Sequence, residues 1–183
     1  MSAVVEGRIV MPGLPVGAVL QVVTAPHAVL STPCIEVDPR DPAVIQLAAD
    51  LLATQRVSPG CVGLAANQVG ISWRAFSLDV SSHPKAQTTF GEYVLVNPRV
   101  ESESRNEKAR EGCLSVPDFT GDVKRATKIV VRGWLPGSGE EIVIETDAFE
   151  ARALAHELDH LDGALFLDRV AGAHAVFARK TYL

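Results

Sequence analysis

The segment His156-Glu-Leu-Asp-His160 contains residue types that bind metals and move protons. Two histidines four positions apart lie on one face of a helix, one turn apart, so both imidazoles can reach a single ion while Glu157 lies beside it. A divalent metal lowers the pKa of a bound water, and a nearby carboxylate can accept the proton and pass it to a leaving nitrogen. The spacing therefore predicts a hydrolytic metal site.

A surface helix that carries two histidines by chance is the alternative interpretation. Most positions that share the histidine face are apolar, namely Phe149, Ala153 and Ala164, with Arg152 as the exception. Two imidazoles on such a face would be buried without an obvious partner, which is unfavourable. This pattern favours a functional pair.

A catalytic metal site of this kind needs a third protein ligand. The extended metalloprotease pattern places a third histidine where this chain has Phe166. The thermolysin-like arrangement uses a downstream glutamate, and no glutamate occurs from Leu161 to Leu183. From the residues alone, Asp162 and Asp168 remain possible ligands.

Local signals predict two helices and several short strands. Asp41 with Pro42 is typical of a helix start, and Ser58-Pro-Gly60 of its end. A second helix is predicted from Asp147, which resembles a capping box with Glu150, to about Gly163. Val/Ile-rich runs predict strands at Val19–Val23, Trp73–Val80, Tyr93–Val96, Lys128–Leu135 and Glu140–Glu145, the last two joined as a hairpin through residues 136–139.

This arrangement predicts an α+β fold with antiparallel strands packed around a central metal-binding helix. The chain has 183 residues, of which 47% are apolar, enough for one good core and too few for two comfortable domains. We therefore expect a single compact catalytic domain over residues 1–183.

Composition excludes several classes of function. The formal net charge of −5 and a pI near 5.5 argue against a nucleic-acid-binding protein. No apolar segment approaches the roughly 20 residues that cross a bilayer, and the N-terminus lacks the pattern of a secretory signal. Cys34, Cys61 and Cys113 are odd in number and far apart, as expected for free thiols in a reducing compartment. We predict a cytoplasmic location and no membrane or nucleic-acid partner.

Two further blocks lie upstream of the histidine pair: Gly63-Leu-Ala-Ala-Asn-Gln-Val-Gly70 and Glu111-Gly-Cys-Leu-Ser-Val-Pro117. In order and spacing, the three blocks resemble the signature motifs of peptide deformylases, Gly-x-Gly-Leu-Ala-Ala-x-Gln, Glu-Gly-Cys-Leu-Ser and His-Glu-x-Asp-His. The resemblance extends from about Val19 to Asp168. It implies an enzyme that hydrolyses the N-formyl group of formyl-methionyl peptides at the start of new polypeptides.

The resemblance also implies a set of metal ligands. Cys113, His156 and His160 would bind one divalent metal, with Fe(II) as the first expectation. Zn(II), Ni(II) and Co(II) are also accepted by such mixed thiolate and imidazole sites. Glu157 would act first as general base and then as general acid.

Oxyanion and substrate contacts follow from the same resemblance. The Gln68 side chain and the backbone N–H of Leu114 would donate to the oxyanion. The backbones of Val62, Gly63 and Gly112 would hold an extended peptide, and Phe149 with the stem of Arg152 would line a pocket for methionine.

Two departures from the family pattern bear on function. Cys61 replaces the first motif glycine, and would cost roughly 1–2 kcal/mol if that position required positive φ. The segment after Asp168 is shorter than the family's C-terminal helix, the part that is linked to transient ribosome contact. These departures leave open an amidohydrolase for another small N-acyl substrate. A metal-bearing non-catalytic scaffold is also open, but it would be expected to lose Glu157 or Gln68.

Residues around the motifs carry further expectations. We predict that Glu111 pairs with Arg125 and braces the loop that carries Cys113. Ser115 is expected to serve only packing, and His83 is expected to lie exposed in a loop.

Overall fold

The computed structural model describes residues 3–180. Its main elements in that range are two α-helices, a six-stranded antiparallel sheet and a separate two-stranded ribbon. The strands are β1 (Val4–Val5), β2 (Arg8–Ile9), β3 (Gly63–Ala65), β4 (Ala75–Leu78), β5 (Tyr93–Cys113), β6 (Val116–Trp134), β7 (Glu141–Asp147) and β8 (Val176–Ala178); the helices are α1 (Pro42–Val57) and α2 (Ala148–Leu161), with short 3-10 helices at Ala28–Ser31, Ala66–Val69, Phe166–Arg169 and Ala173–Ala175.

Helix α1 begins and ends at the predicted signals. The Asp41 carboxylate accepts a hydrogen bond from the N–H of Ala43 at 2.8 Å, which satisfies one of the free donors of the first turn. Leu47 and Leu51 on its inner face are buried. The predicted first helix is therefore confirmed.

Helix α2 begins directly after Asp147, as predicted, but without the predicted capping interactions. Asp147 makes no side-chain capping bond, and its carboxylate instead accepts from the Thr88 hydroxyl at 2.9 Å. Glu150 is buried and accepts from the Thr146 hydroxyl at 2.7 Å, so the expected capping box is wrong. Gly163, with φ of +78°, follows the last turn and confirms the predicted helix end.

The largest difference from the predicted elements is a long β5–β6 hairpin. The two strands pair from Val96↔Trp134 to Cys113↔Val116, joined by the two-residue turn Leu114–Ser115. The sequence predicted only the ends farthest from this turn, because residues 99–110 are mostly charged and exposed and lack a hydrophobic alternation. The predicted hairpin of β6 and β7 is confirmed, with Trp134 opposite Glu141.

The core lies between the sheet and α2, whose Leu154, Leu158 and Leu161 are buried against the strands. The α+β fold, with antiparallel strands packed around the histidine-bearing helix, is confirmed. The run Val19–Val23 forms no strand, although its last N–H donates to the carbonyl of Gln68 at 2.8 Å. Within residues 3–180, no helix has the length and apolar character needed to cross a membrane.

Candidate active site

The structure brings the three candidate metal ligands together. Cys113 ends β5 at the hairpin turn, whereas His156 and His160 lie one turn apart on α2. The Cys113 Sγ is 3.2 Å from the Nε2 of His160, which is 3.2 Å from the Nε2 of His156. The candidate ligand atoms of the three residues all lie within 4.8 Å of one another.

These residues fit a divalent ion. With bonds of about 2.0 Å to nitrogen and 2.3 Å to sulfur in a tetrahedral arrangement, donor atoms lie roughly 3.3–3.6 Å apart. The observed separations of 3.2 Å need to widen only slightly. His160 and Cys113 are also buried, so water competes weakly for their donor atoms.

Glu111 joins the hairpin to the helix that carries the histidines. Its Oε1 accepts from Arg125 Nε at 2.6 Å and from Arg152 Nη1 at 2.8 Å, so the predicted pair of Glu111 and Arg125 is confirmed. Its Oε2 accepts from His156 Nδ1 at 3.0 Å, which leaves the Nε2 lone pair of that imidazole directed at the metal position. Burial opposes ionisation, but hydrogen bonds from His156 and Arg125 hold the pKa of Glu111 at about 2.

The Cys113 thiol is suited to metal binding as a thiolate. Burial works against its ionisation, yet His160 and His156 lower its pKa well below the ordinary value. The thiolate is the form that binds metals.

Glu157 is buried beside the candidate ligands. Its Oε2 has no hydrogen-bond partner within the described chain, and burial raises the pKa of this carboxyl to about 7 against the opposing effect of His156 and His160. A Cβ atom on Gly63 would lie 2.5 Å from Oε1 of this carboxylate. Position 63 therefore needs a glycine so that β3 and Glu157 can approach closely.

Gln68 is oriented by the backbone of its own loop. Its Oε1 accepts from the N–H of Ala65 at 3.0 Å, which turns Nε2 towards Cys113 Sγ at 3.3 Å and Ser115 Oγ at 3.2 Å. The expectation that Ser115 serves only packing is wrong, since its buried hydroxyl contacts the Gln68 amide. Leu114 follows Cys113 in the hairpin turn, on the rim of the same cleft.

A cleft of about 600 Å³ opens in front of these groups. Val62 and Gly63, at the start of edge strand β3, line one wall, and Gly112, at the end of β5, lines another. Phe149 also lines the cleft. All predicted catalytic and substrate-binding residues therefore border one cavity, and His160 lies buried behind Cys113.

His83 lies in a loop, as expected, but it lines this cleft instead of being exposed. Its ring stacks on Phe149 with centroids 3.8 Å apart and planes 5° apart, and the residue is partly buried. Burial lowers the pKa of His83, which favours the neutral imidazole in this stack. No local pattern signals such a contact between residues 66 positions apart.

Cys61 introduces no backbone strain, because it does not have positive φ. Its Sγ lies 3.1 Å from the carbonyl oxygen of Gly63, as in a hydrogen bond, and burial raises the pKa of the thiol to about 12. The roughly 1–2 kcal/mol that positive φ would have cost at Cys61 is therefore not incurred, which leaves the backbone of this motif unstrained.

Arg179 is a cleft residue that the sequence did not single out. Strand β8 pairs with β6, and Arg179 follows it at the rim of the cleft beside Gly112. Its Nη2 donates to the carbonyl of Cys113 at 3.3 Å. Only the fold brings these residues together.

The sequence is similar to those of known proteins. A family model described as Polypeptide deformylase matches residues 19–175. The chain is 40% identical to a peptide deformylase of Syntrophobacter fumaroxidans, over 89% of this chain and 94% of that protein, and 42% identical to peptide deformylase 1 of Vibrio vulnificus over 89% and 93%.

Two solved structures are similar to most of this fold. The peptide deformylase of Ehrlichia chaffeensis in complex with actinonin has a TM-score of 0.77 at 33% identity, covering 84% of this chain and 90% of that one. The Thermotoga maritima peptide deformylase has a TM-score of 0.76 at 30% identity, covering 85% and 99%.

Proposed function

This chain belongs to the polypeptide deformylase family, metal-dependent hydrolases that remove the N-formyl group of new polypeptides, and we propose that Glu157 is the general base of that reaction. The observation that carries the proposal is the position of Glu157. Its carboxylate lies in the cleft beside three converging side chains that could hold a metal ion, with one oxygen that accepts no hydrogen bond from the described residues. A carboxylate in this position is suited to take a proton from an attacking water.

Cys113, His156 and His160 would hold the metal. A bound divalent ion would polarise the formyl carbonyl and make the attacking water more acidic. One thiolate and two neutral imidazoles leave a net single positive charge for this purpose. We propose Fe(II) as the native ion, while the same donors also suit Zn(II), Ni(II) and Co(II).

Glu157 would transfer the proton between water and the leaving amine. Because burial raises its pKa to about 7, the carboxyl lies near the balance between its two protonation states at neutral pH. It can therefore accept a proton during attack and return it to the amine nitrogen when the C–N bond breaks.

Gln68 and Leu114 would stabilise the oxyanion. The Ala65 N–H holds the Gln68 side chain with Nε2 at the site, and donation to the oxyanion would replace one of the two hydrogen bonds of Nε2, to Cys113 Sγ or to Ser115 Oγ. The N–H of Leu114 would be the second donor from the hairpin turn. Loss of one such donor typically lowers the rate about a hundredfold or more.

The substrate would bind as an added strand at the edge of β3. Strand β3 ends the strand order of the sheet, so its outer edge can pair with an extended peptide through Val62 and Gly63, with Gly112 opposite. Phe149, stacked on His83, would line the pocket for the methionine side chain. The substrates would be formyl-methionyl peptides.

Replacing Glu157 by Gln tests the assigned base. The variant should lose at least about a hundredfold in kcat on a formyl-Met peptide while retaining metal, because the amide keeps the shape and removes the proton acceptor. Glu145→Gln, on the exposed face of β7, is the matched control and should match the parent. A Glu157→Gln variant with near-parental turnover would exclude the assigned role.

The acyl group tests the substrate. A formyl-Met peptide should react at least a hundredfold faster than acetyl-Met, because an extra methyl displaces the carbonyl from its donors and a shift of about 1 Å can cost that much. Comparable rates would favour an amidohydrolase of broader substrate range. Full metallation without activity on any acyl peptide would favour a non-catalytic scaffold.

Oxygen sensitivity tests the proposed metal. The iron form should lose activity in aerated buffer faster than nickel or zinc forms, because Fe(II) and its thiolate ligand are open to oxidation. Equal half-lives would remove the support for native iron. Ribosome contact and a cytoplasmic location stay predictions.

A further inference from the structure

The C-terminal segment reaches the hairpin turn that carries the active-site cysteine. Strand β8 pairs antiparallel with β6 through Phe119↔Ala178 and Thr120↔Phe177. The backbone N–H of Arg179 then donates to the carbonyl of Asp118 at 2.8 Å. These bonds fix the start of the Arg179 side chain beside the turn.

The Arg179 guanidinium lies against the turn from the cleft side. Its Nη2 donates to the backbone carbonyl of Cys113 at 3.3 Å. The same nitrogen occupies the space that a Cβ atom on Gly112 would need. The absence of a side chain at Gly112 therefore allows the Arg179 guanidinium to lie close to the backbone of β5. Arg179 is only partly exposed in this position.

The carbonyl of Cys113 and the N–H of Leu114 belong to one planar peptide unit. A donor held on the carbonyl therefore restricts rotation of that plane and fixes the direction of the N–H. Hydrogen-bonded groups also polarise one another, and a charged guanidinium is a strong donor. We propose that Arg179 is a positioning residue that orients and polarises the Cys113–Leu114 peptide for oxyanion stabilisation, an inference that rests on the proposed function of the Leu114 N–H.

Two other roles of Arg179 predict different results. If the guanidinium obstructs the peptide path along Gly112, its removal should lower KM and raise kcat/KM. If it only anchors the C-terminal segment, its removal should lower the melting temperature and leave kcat unchanged. An orienting role predicts a change in kcat, with KM nearly constant.

Steady-state kinetics on formyl-Met peptides separate these roles. Arg179→Ala should lower kcat about tenfold with KM within about twofold, a smaller loss than removal of a whole oxyanion donor. Arg179→Lys should retain more activity, and methylguanidine should restore part of kcat to the Ala variant. Lys180→Ala removes a neighbouring exposed charge and should match the parent. Metal content should be equal in all four proteins.

A spectroscopic measurement tests the same contact without turnover. In the diamagnetic zinc form, the Leu114 amide proton should shift upfield in Arg179→Ala, because its peptide loses a polarising donor. An unchanged Leu114 resonance, or unchanged kcat, would overturn the proposal. A fall in KM with higher kcat/KM would also overturn it, in favour of obstruction. Absence of deformylase activity in the parent would refute the proposed function, but the Leu114 shift would still report the contact.

Discussion

The Glu111 carboxylate contacts the guanidinium groups of Arg125 and Arg152 and the imidazole N–H of His156. Replacing Glu111 by Gln removes its negative charge. The side chains of Glu111 and Arg125 are each only 5% exposed, and that of Arg152 is 10% exposed. Removing one partner of a buried ion pair costs about 3–5 kcal/mol. Because the amide keeps one acceptor oxygen, we expect a loss near the lower bound, about 3 kcal/mol.

Two measurements follow from this loss. For a chain of this size, about 1 kcal/mol shifts the melting temperature by roughly 2–4 °C, so Glu111→Gln should melt roughly 6–12 °C below the parent. The amide oxygen should stay with Arg125 and Arg152, so that the NH2 group faces His156. Metal affinity, measured by competition with a chelator, should then fall about 10–100-fold because His156 loses the acceptor that orients its ring.

The loss should also depend on pH in a defined direction. The pKa of Glu111 is lowered from 4.5 to about 2, so its ionised form stabilises the fold above pH 4.5, and this contribution disappears as the pH falls towards 2. The difference between parent and Glu111→Gln in the free energy of unfolding should shrink over that range. Glu145→Gln removes an exposed partner of Lys128 and should change stability by about 1 kcal/mol or less. Parental melting temperature and metal affinity in Glu111→Gln would refute the bracing role.

Two other predictions concern the cleft and the thiols. Gly63→Ala should lower kcat/KM about a hundredfold, because the new Cβ would lie 2.5 Å from the Glu157 carboxylate. The control is Gly13→Ala, where nothing lies within 4 Å of the new Cβ. Parental activity in Gly63→Ala would contradict the close approach of position 63 to Glu157. Burial raises the pKa values of Cys34 and Cys61 to about 11 and 12. At pH 8, iodoacetamide should therefore alkylate both thiols more than about a hundredfold slower in the folded protein than in the urea-unfolded protein. Peptide mass mapping measures the two rates. Equal rates in the two states would contradict the raised pKa values of the two thiols in the folded protein.

Several features of the site were accessible from the sequence because they depend on neighbouring residues. The spacing of His156 and His160 places two imidazoles on one helix face whatever the rest of the fold does. Asp41 and Gly163 mark helix ends through backbone groups a few residues away. The motif around Cys113 then indicated the third ligand by resemblance to a known family, where the residues alone left aspartates open.

Only the tertiary structure decided how these parts are held. The charged stretch 99–110 has no hydrophobic alternation, so its pairing with β6 follows from the sheet rather than from local propensity. The contacts of Glu111 with Arg152, of His83 with Phe149 and of Arg179 with Cys113 join residues 41, 66 and 66 positions apart. Such contacts have no local signature, because their partners become neighbours only when the strands and α2 pack around one core.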